Sequence, residues 1–194
     1  MEKRMVILYP LIFLAALIVA IHSSFFVRMM IDSMDNREDW SDQDKYSYAL
    51  FVMIGLGVGD ILGSMVFGRI TDRCTTKNTI YINMLTCTLG FSCLILYGAV
   101  YDFSFYLGVL MTFSWGVQDS GLMCLLHSIL GFQFKSKTTP FSAYIFLHAV
   151  LIFACISLEI GIKNQRSYLI YFAICYTMSM TAWFILLRYF EFKT

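Results

Sequence analysis

Asp60 and Asp119 are carboxylates set inside long apolar runs, each one residue from a small side chain, Gly59 and Ser120 respectively. Gln118, His127 and His148 are their polar neighbours. A charge near the middle of hydrocarbon costs about 2.5 to 3.5 kcal/mol on insertion scales, so both acids are expected to face protein or water. Two roles fit that placement. The acids line a cavity as a proton or cation relay, or each is hydrogen-bonded to a Ser, Thr or Tyr of the next helix and serves only to fix packing.

Other chemistries lack their residues. His22, His127 and His148 fall in three different apolar runs with no second His or Cys four residues away, which argues against a metal site. The six cysteines, at 74, 87, 93, 124, 155 and 175, form no C-x-x-C pair and read as small buried hydrophobes. Gly55-x-Gly57-x-Gly59 has neither a preceding strand nor an acid at the spacing a dinucleotide loop needs. No G-x-S-x-G turn is present, so no nucleophile elbow is expected. The expectation is a protein with no catalytic residue, no cofactor and no metal, and not an enzyme.

Elements that could position the acids follow from composition. The chain has 194 residues, 59% of them hydrophobic and only 14% charged, with mean hydropathy +0.70. A soluble domain needs roughly a quarter charged residues, so this chain belongs in a bilayer. Its net charge of +1 and the lack of a basic arm exclude nucleic acid as a partner. A helix needs about twenty apolar residues to cross the hydrocarbon. Six such stretches lie at 6–30, 46–67, 79–100, 103–130, 141–161 and 168–187, predicting an all-α integral membrane domain over 1–194. The first is expected to be an uncleaved span, since it lacks an A-x-A-like exit.

Lys3, Arg4, Arg69, Arg73, Lys77, Lys135, Lys137, Arg188 and Lys193 fall on one side of such a bundle, and Arg28, Arg37, Lys45, Lys163 and Arg166 on the other. The second side also carries Asp32, Asp35, Glu38, Asp39, Asp42 and Asp44, so both termini are expected on the cytoplasmic or matrix side. Tyr97, Tyr101, Phe103, Phe105 and Tyr106 around the third connection read as interfacial anchors.

Two packing ridges accompany the acids. Gly55, Gly59 and Gly63 share one face of the second span, and Gly116, Ser120, Cys124 and Ser128 one face of the fourth. Small residues four apart let helix backbones approach closely in lipid. Between the second and third spans, Gly68, Asp72, Arg73 and Lys77 read as a loop latch: a glycine at the helix end for a tight turn, then charges that pair across the bundle.

This ten-residue connection resembles the signature loop of the major facilitator superfamily, with Thr75 and Thr76 in place of a second glycine and a basic residue. Gly59-Asp60, Phe67-Gly68, Trp115-Gly116-Val117-Gln118-Asp119 and Lys137-Thr138-Thr139-Pro140-Phe141-Ser142-Ala143-Tyr144 together resemble its Unc-ninety-three-like branch, specifically the carboxyl-terminal six-helix half. The resemblance implies half of a facilitator fold, two inverted three-helix repeats, and one wall of a site that whole carriers build between two halves. Met123, Cys124 and Leu125 stand where the family keeps polar residues.

Members of that branch also serve as non-transporting partners of channels and other membrane proteins. The expected function is therefore an accessory or scaffold subunit of a larger membrane complex, acting through helix contacts with other subunits. The alternative is a small solute transporter or channel regulator working as a dimer of six-helix halves. An organelle inner membrane, such as that of a mitochondrion, is one host membrane; the plasma or endolysosomal membrane is the alternative.

Overall fold

Every long apolar run folds as a helix because, with no water inside hydrocarbon, each backbone N–H and C=O must be satisfied within its own segment. The computed structural model describes residues 3–34, 40–134, 138–162 and 164–190, the side chain of Lys3 excepted. Six helical spans long and apolar enough to cross a bilayer result, and no strand occurs among the described residues. The chain is an all-α, multi-pass membrane bundle.

The first span is interrupted: α1 (Lys3–Ala20) passes through a π turn (Ile21–Phe25) into α2 (Phe26–Asp32). The other spans are α3 (Asp42–Arg73), α4 (Thr76–Val100), α5 (Phe105–Phe132), α6 (Thr138–Glu159) and α7 (Gln165–Tyr189). Helix ends are fixed by local chemistry. Ser41 opens α3 with a reciprocal capping box, its hydroxyl accepting from the Asp44 N–H at 3.2 Å and its own N–H donating to the Asp44 carboxylate at 3.3 Å. Thr75 caps α4 by accepting from the Asn78 N–H at 3.4 Å, and Tyr101 ends it in the left-handed region at φ 47°.

The second and third spans meet differently from the sequence expectation. Helix α3 continues through Gly68 to Arg73, so the connection is only Cys74 and Thr75. Gly68 is therefore a mid-helix residue with open space around its Cα and no positive φ, not the glycine of a turn. Asp72, Arg73 and Lys77 are exposed, and among the described residues none of them bonds across the bundle. The turn needs no glycine because an extended Cys74 hands directly to a threonine cap. Asp35, Arg37, Glu38, Asp39, Lys135, Lys137, Lys163 and Lys193, and the side chain of Lys3, all used for orientation or resemblance, lie outside the described residues.

Spans pair in a pattern. Helix α3 packs on α5, α1 on α6, α4 on both α5 and α7, and α7 on α1, with a lighter α1–α5 contact. Exchanging each of the first three spans with the one three places later maps these pairings onto one another, first–fifth onto fourth–second and first–sixth onto fourth–third, whereas the contact of α2 with α3 has no counterpart of its weight between α5 and α6. Contacts also give directions. Gly55 meets Val109 and Thr112 while Gly63 meets Val117 and Ser120, so α3 and α5 run parallel. Gln165 donates to the Gly98 carbonyl at 3.0 Å and Tyr176 reaches Thr88 at 3.4 Å, so α4 and α7 run antiparallel. Both directions match the alternation that successive bilayer crossings require.

Helices α3, α5, α1 and α6 thus form one row, backed by α4 and α7. The centre of the row is the dry core: Leu8, Leu11, Ile12, Phe25 and Phe26 of the first span are fully buried, with Trp115 of α5 against Phe26 and Phe91 at ring separations of 5.4 and 5.1 Å. Trp115 also donates its indole N–H to the Ile18 carbonyl at 3.2 Å. Outward faces are apolar instead, with Phe51, Ile61, Phe146 and Phe153 exposed as lipid solvent favours. Tyr97, expected at the interface, is fully buried, its hydroxyl 3.0 Å from that of Ser33. A phenol that finds such a partner is accommodated in a core.

Candidate functional site on the open face of the row

The two small-residue ridges pack against each other, which places the acids. A Cβ on Gly59 would stand 3.2 Å from the Cα of Phe113, and one on Gly116 only 2.8 Å from the Asp60 backbone nitrogen. The helices touch backbone to backbone there, an approach open only to small residues. Thr112 strengthens the seam by donating its hydroxyl to the Val52 carbonyl at 2.9 Å. Gly116 and Ser120 face α3, whereas Cys124 and Ser128, farther along the same stripe, are only half-buried.

Around α5 the neighbours divide the circumference. Gln118 faces α4, Gly121 meets both Phe67 of α3 and Asn83 of α4, Trp115 reaches α1, and Gly116 faces α3. Asp119 lies on the remaining arc, between α1 and α3, because one residue advances a helix by about 100°. Gln118 therefore does not join the carboxylates, contrary to its reading as their cavity neighbour. It is 2% exposed against the back of the bundle, with its amide nitrogen 3.4 Å from the Cys87 sulfur.

Asp60 and Asp119 do come together. Both are half-buried, and they lie within electrostatic reach of each other across the seam. Helix α6 adds Tyr144, within electrostatic reach of Asp119, and His148, whose ring lies beside the backbone of Ala15. His127 of α5 packs its ring on Tyr144 at 5.7 Å, and Tyr144 packs on His148 at 5.2 Å. The Tyr144 hydroxyl points to the Met123 sulfur at 3.4 Å. His127 itself is exposed. Three spans thus direct ionisable or polar groups onto the same open side of the row, away from α4 and α7. On that side Asp119 Oδ1 and His148 Nε2 are buried yet without a hydrogen-bond partner.

A second polar cluster has no counterpart in the sequence reading. Glu159, 2% exposed at the end of α6, accepts from the Tyr171 hydroxyl of α7 at 2.6 Å and contacts the Ser24 hydroxyl in the π turn. Ser24 also donates to the Ala20 carbonyl one turn back at 3.0 Å. A π turn shifts the helix phase, so residues on either side of it can both point inward. Here it buries Phe25 and Phe26 beside the α1 core while presenting Ser24 to Glu159. The available signal was the His22-Ser23-Ser24 break in an otherwise apolar run together with an acid near the far end of the fifth span.

No group of three or more His, Cys, Asp or Glu with metal-holding geometry occurs among the described residues, and all six cysteines are free. Comparison with known protein families, curated proteins and solved structures returned no match.

Proposed function

We propose that this chain is an accessory or scaffold subunit of a larger membrane assembly, built on half of a facilitator-type fold and acting through helix contacts with other membrane subunits. The observation that carries this reading is the open side of the α3–α5–α1–α6 row, where His127 is exposed, Asp60, Asp119 and His148 are half-buried, and no further helix packs over them among the described residues. Polar groups at this depth are expensive against lipid, so the face is one that protein covers. Exchange symmetry of the spans supports the half-carrier origin, since three-span units that cross the membrane an odd number of times are necessarily inverted. No soluble domain is present among the described residues to carry another activity.

The test is native electrophoresis of the chain, extracted from its own membrane in mild detergent. Migration within a defined assembly of several different subunits is expected. A homodimer that takes up solute when reconstituted alone would refute the accessory role and favour the dimeric transporter.

A further inference from the structure

We infer that the covering partner is a different membrane protein, whose transmembrane helix brings a lysine or arginine to the depth of Asp60 and Asp119. This rests on the accessory-subunit reading and specifies its interface chemistry. Both acids stand near the middle of their helices, α3 of 32 residues and α5 of 28. Every Lys and Arg of this chain lies towards a span end or in a connection, so the chain supplies no strong cation at that depth.

The group of this bundle placed near Asp119, besides Asp60, is Tyr144 of α6, whose own neighbours are Met123 and His127 of α5 and His148 of α6. None of these gives Asp119 Oδ1 a hydrogen bond, although that oxygen is buried. An ammonium or guanidinium group entering from the open side would meet the accessible carboxyl oxygens of Asp60 and Asp119 and balance both groups. Charge-assisted bonds of this kind are about twice as strong as neutral ones. A second copy of the chain fits less well. Face to face, it would add two more carboxyls and no lysine or arginine, and like charges disfavour such a pairing in low dielectric.

The probe is a synthetic leucine–alanine transmembrane helix carrying one central lysine, compared with the same helix carrying leucine at that position. Each is mixed with the purified full chain in phosphatidylcholine vesicles, and association is read by fluorescence energy transfer. The lysine helix is expected to associate about ten-fold more tightly, the scale of a strong interhelical polar contact. The preference should vanish when Asp60→Asn and Asp119→Asn are combined, near-isosteric changes whose folding is checked by retention of monodisperse elution.

Equal association of the two helices, or a lysine preference that survives the double variant, overturns the inference. In native membranes, a wild-type assembly that persists unchanged with the double variant also overturns it and leaves the accessory reading standing. A chain that migrates alone overturns both.

Discussion

Gly59→Ala tests the α3–α5 seam most directly, with Gly57→Ala as its internal control. A methyl on Gly59 would meet the Phe113 backbone, with its Cα at 3.2 Å and its carbonyl carbon at 3.1 Å, whereas a methyl on Gly57 has nothing within 4 Å. Carbon atoms rest about 3.5 to 4.0 Å apart, the Phe113 carbonyl oxygen lies closer still, and backbone cannot swing aside, so α3 must retreat by about 0.5 to 1 Å. A gap of that size forfeits roughly a quarter to a half of each contact's attraction.

Taken over about 50 atom contacts, the number one buried leucine makes, at about 0.15 kcal/mol each, the loss is about 2 to 4 kcal/mol, at the upper end of the range for overpacked cores. Both substitutions gain the same helix propensity relative to glycine, so it cancels in the comparison. The expected difference is about 2 to 4 kcal/mol, or roughly 30- to 800-fold in the folding equilibrium. Reversible unfolding in mixed micelles or bicelles measures it. If the two variants unfold at the same point, α3 and α5 do not meet through Gly59 and the packing argument fails.

Gly68→Ala should be neutral or stabilising by about 0.5 to 1 kcal/mol, because Gly68 lies inside a helix with free space beside it; a clear destabilisation in the same assay would restore it as a turn residue. Tyr171→Phe should cost about 1 kcal/mol and Glu159→Ala about 1 to 3 kcal/mol, the latter because it strands the Tyr171 hydroxyl, while Glu159→Gln retains most of the stability; equal melting of all three would dissolve the cluster. A membrane-impermeant maleimide should label exposed Cys74 from the same side as an epitope placed before Arg4, and should label an Asp42→Cys variant only from the opposite side. Labelling of positions 74 and 42 from one side would contradict alternating spans.

Hydropathy alone reveals the six spans, because a run of about twenty apolar residues has few other uses. The small-residue ridges were equally visible, since four-residue spacing maps directly onto a helix face. That they face each other was not, because pairing of the second span with the fourth is a three-dimensional fact that neither ridge encodes. Gln118 was misjudged through its neighbour: adjacent residues point about 100° apart, and the direction of each depends on where α4 and α3 stand. Tyr97 was mistaken for an anchor because only Ser33, remote in sequence, explains its burial. Glu159 was overlooked since an acid at a span end ordinarily meets water, and the π turn that shelters it is a slip of backbone hydrogen bonding with little local signature.

The interleaved pairing bears on how ribosomes deliver this protein. Helix α3 reaches its main neighbour only when α5 emerges, and α1 must wait still longer for α6. With about sixty residues separating the end of α3 from the end of α5, synthesis at about 5 to 20 residues per second leaves the Gly55, Gly59 and Gly63 ridge uncovered for roughly 3 to 12 s. A nascent chain halted after three crossings would present an unfilled glycine groove to whatever insertase or quality-control factor holds it. Surveillance of unassembled copies can therefore read the same residues that the finished bundle hides between its second and fourth crossings.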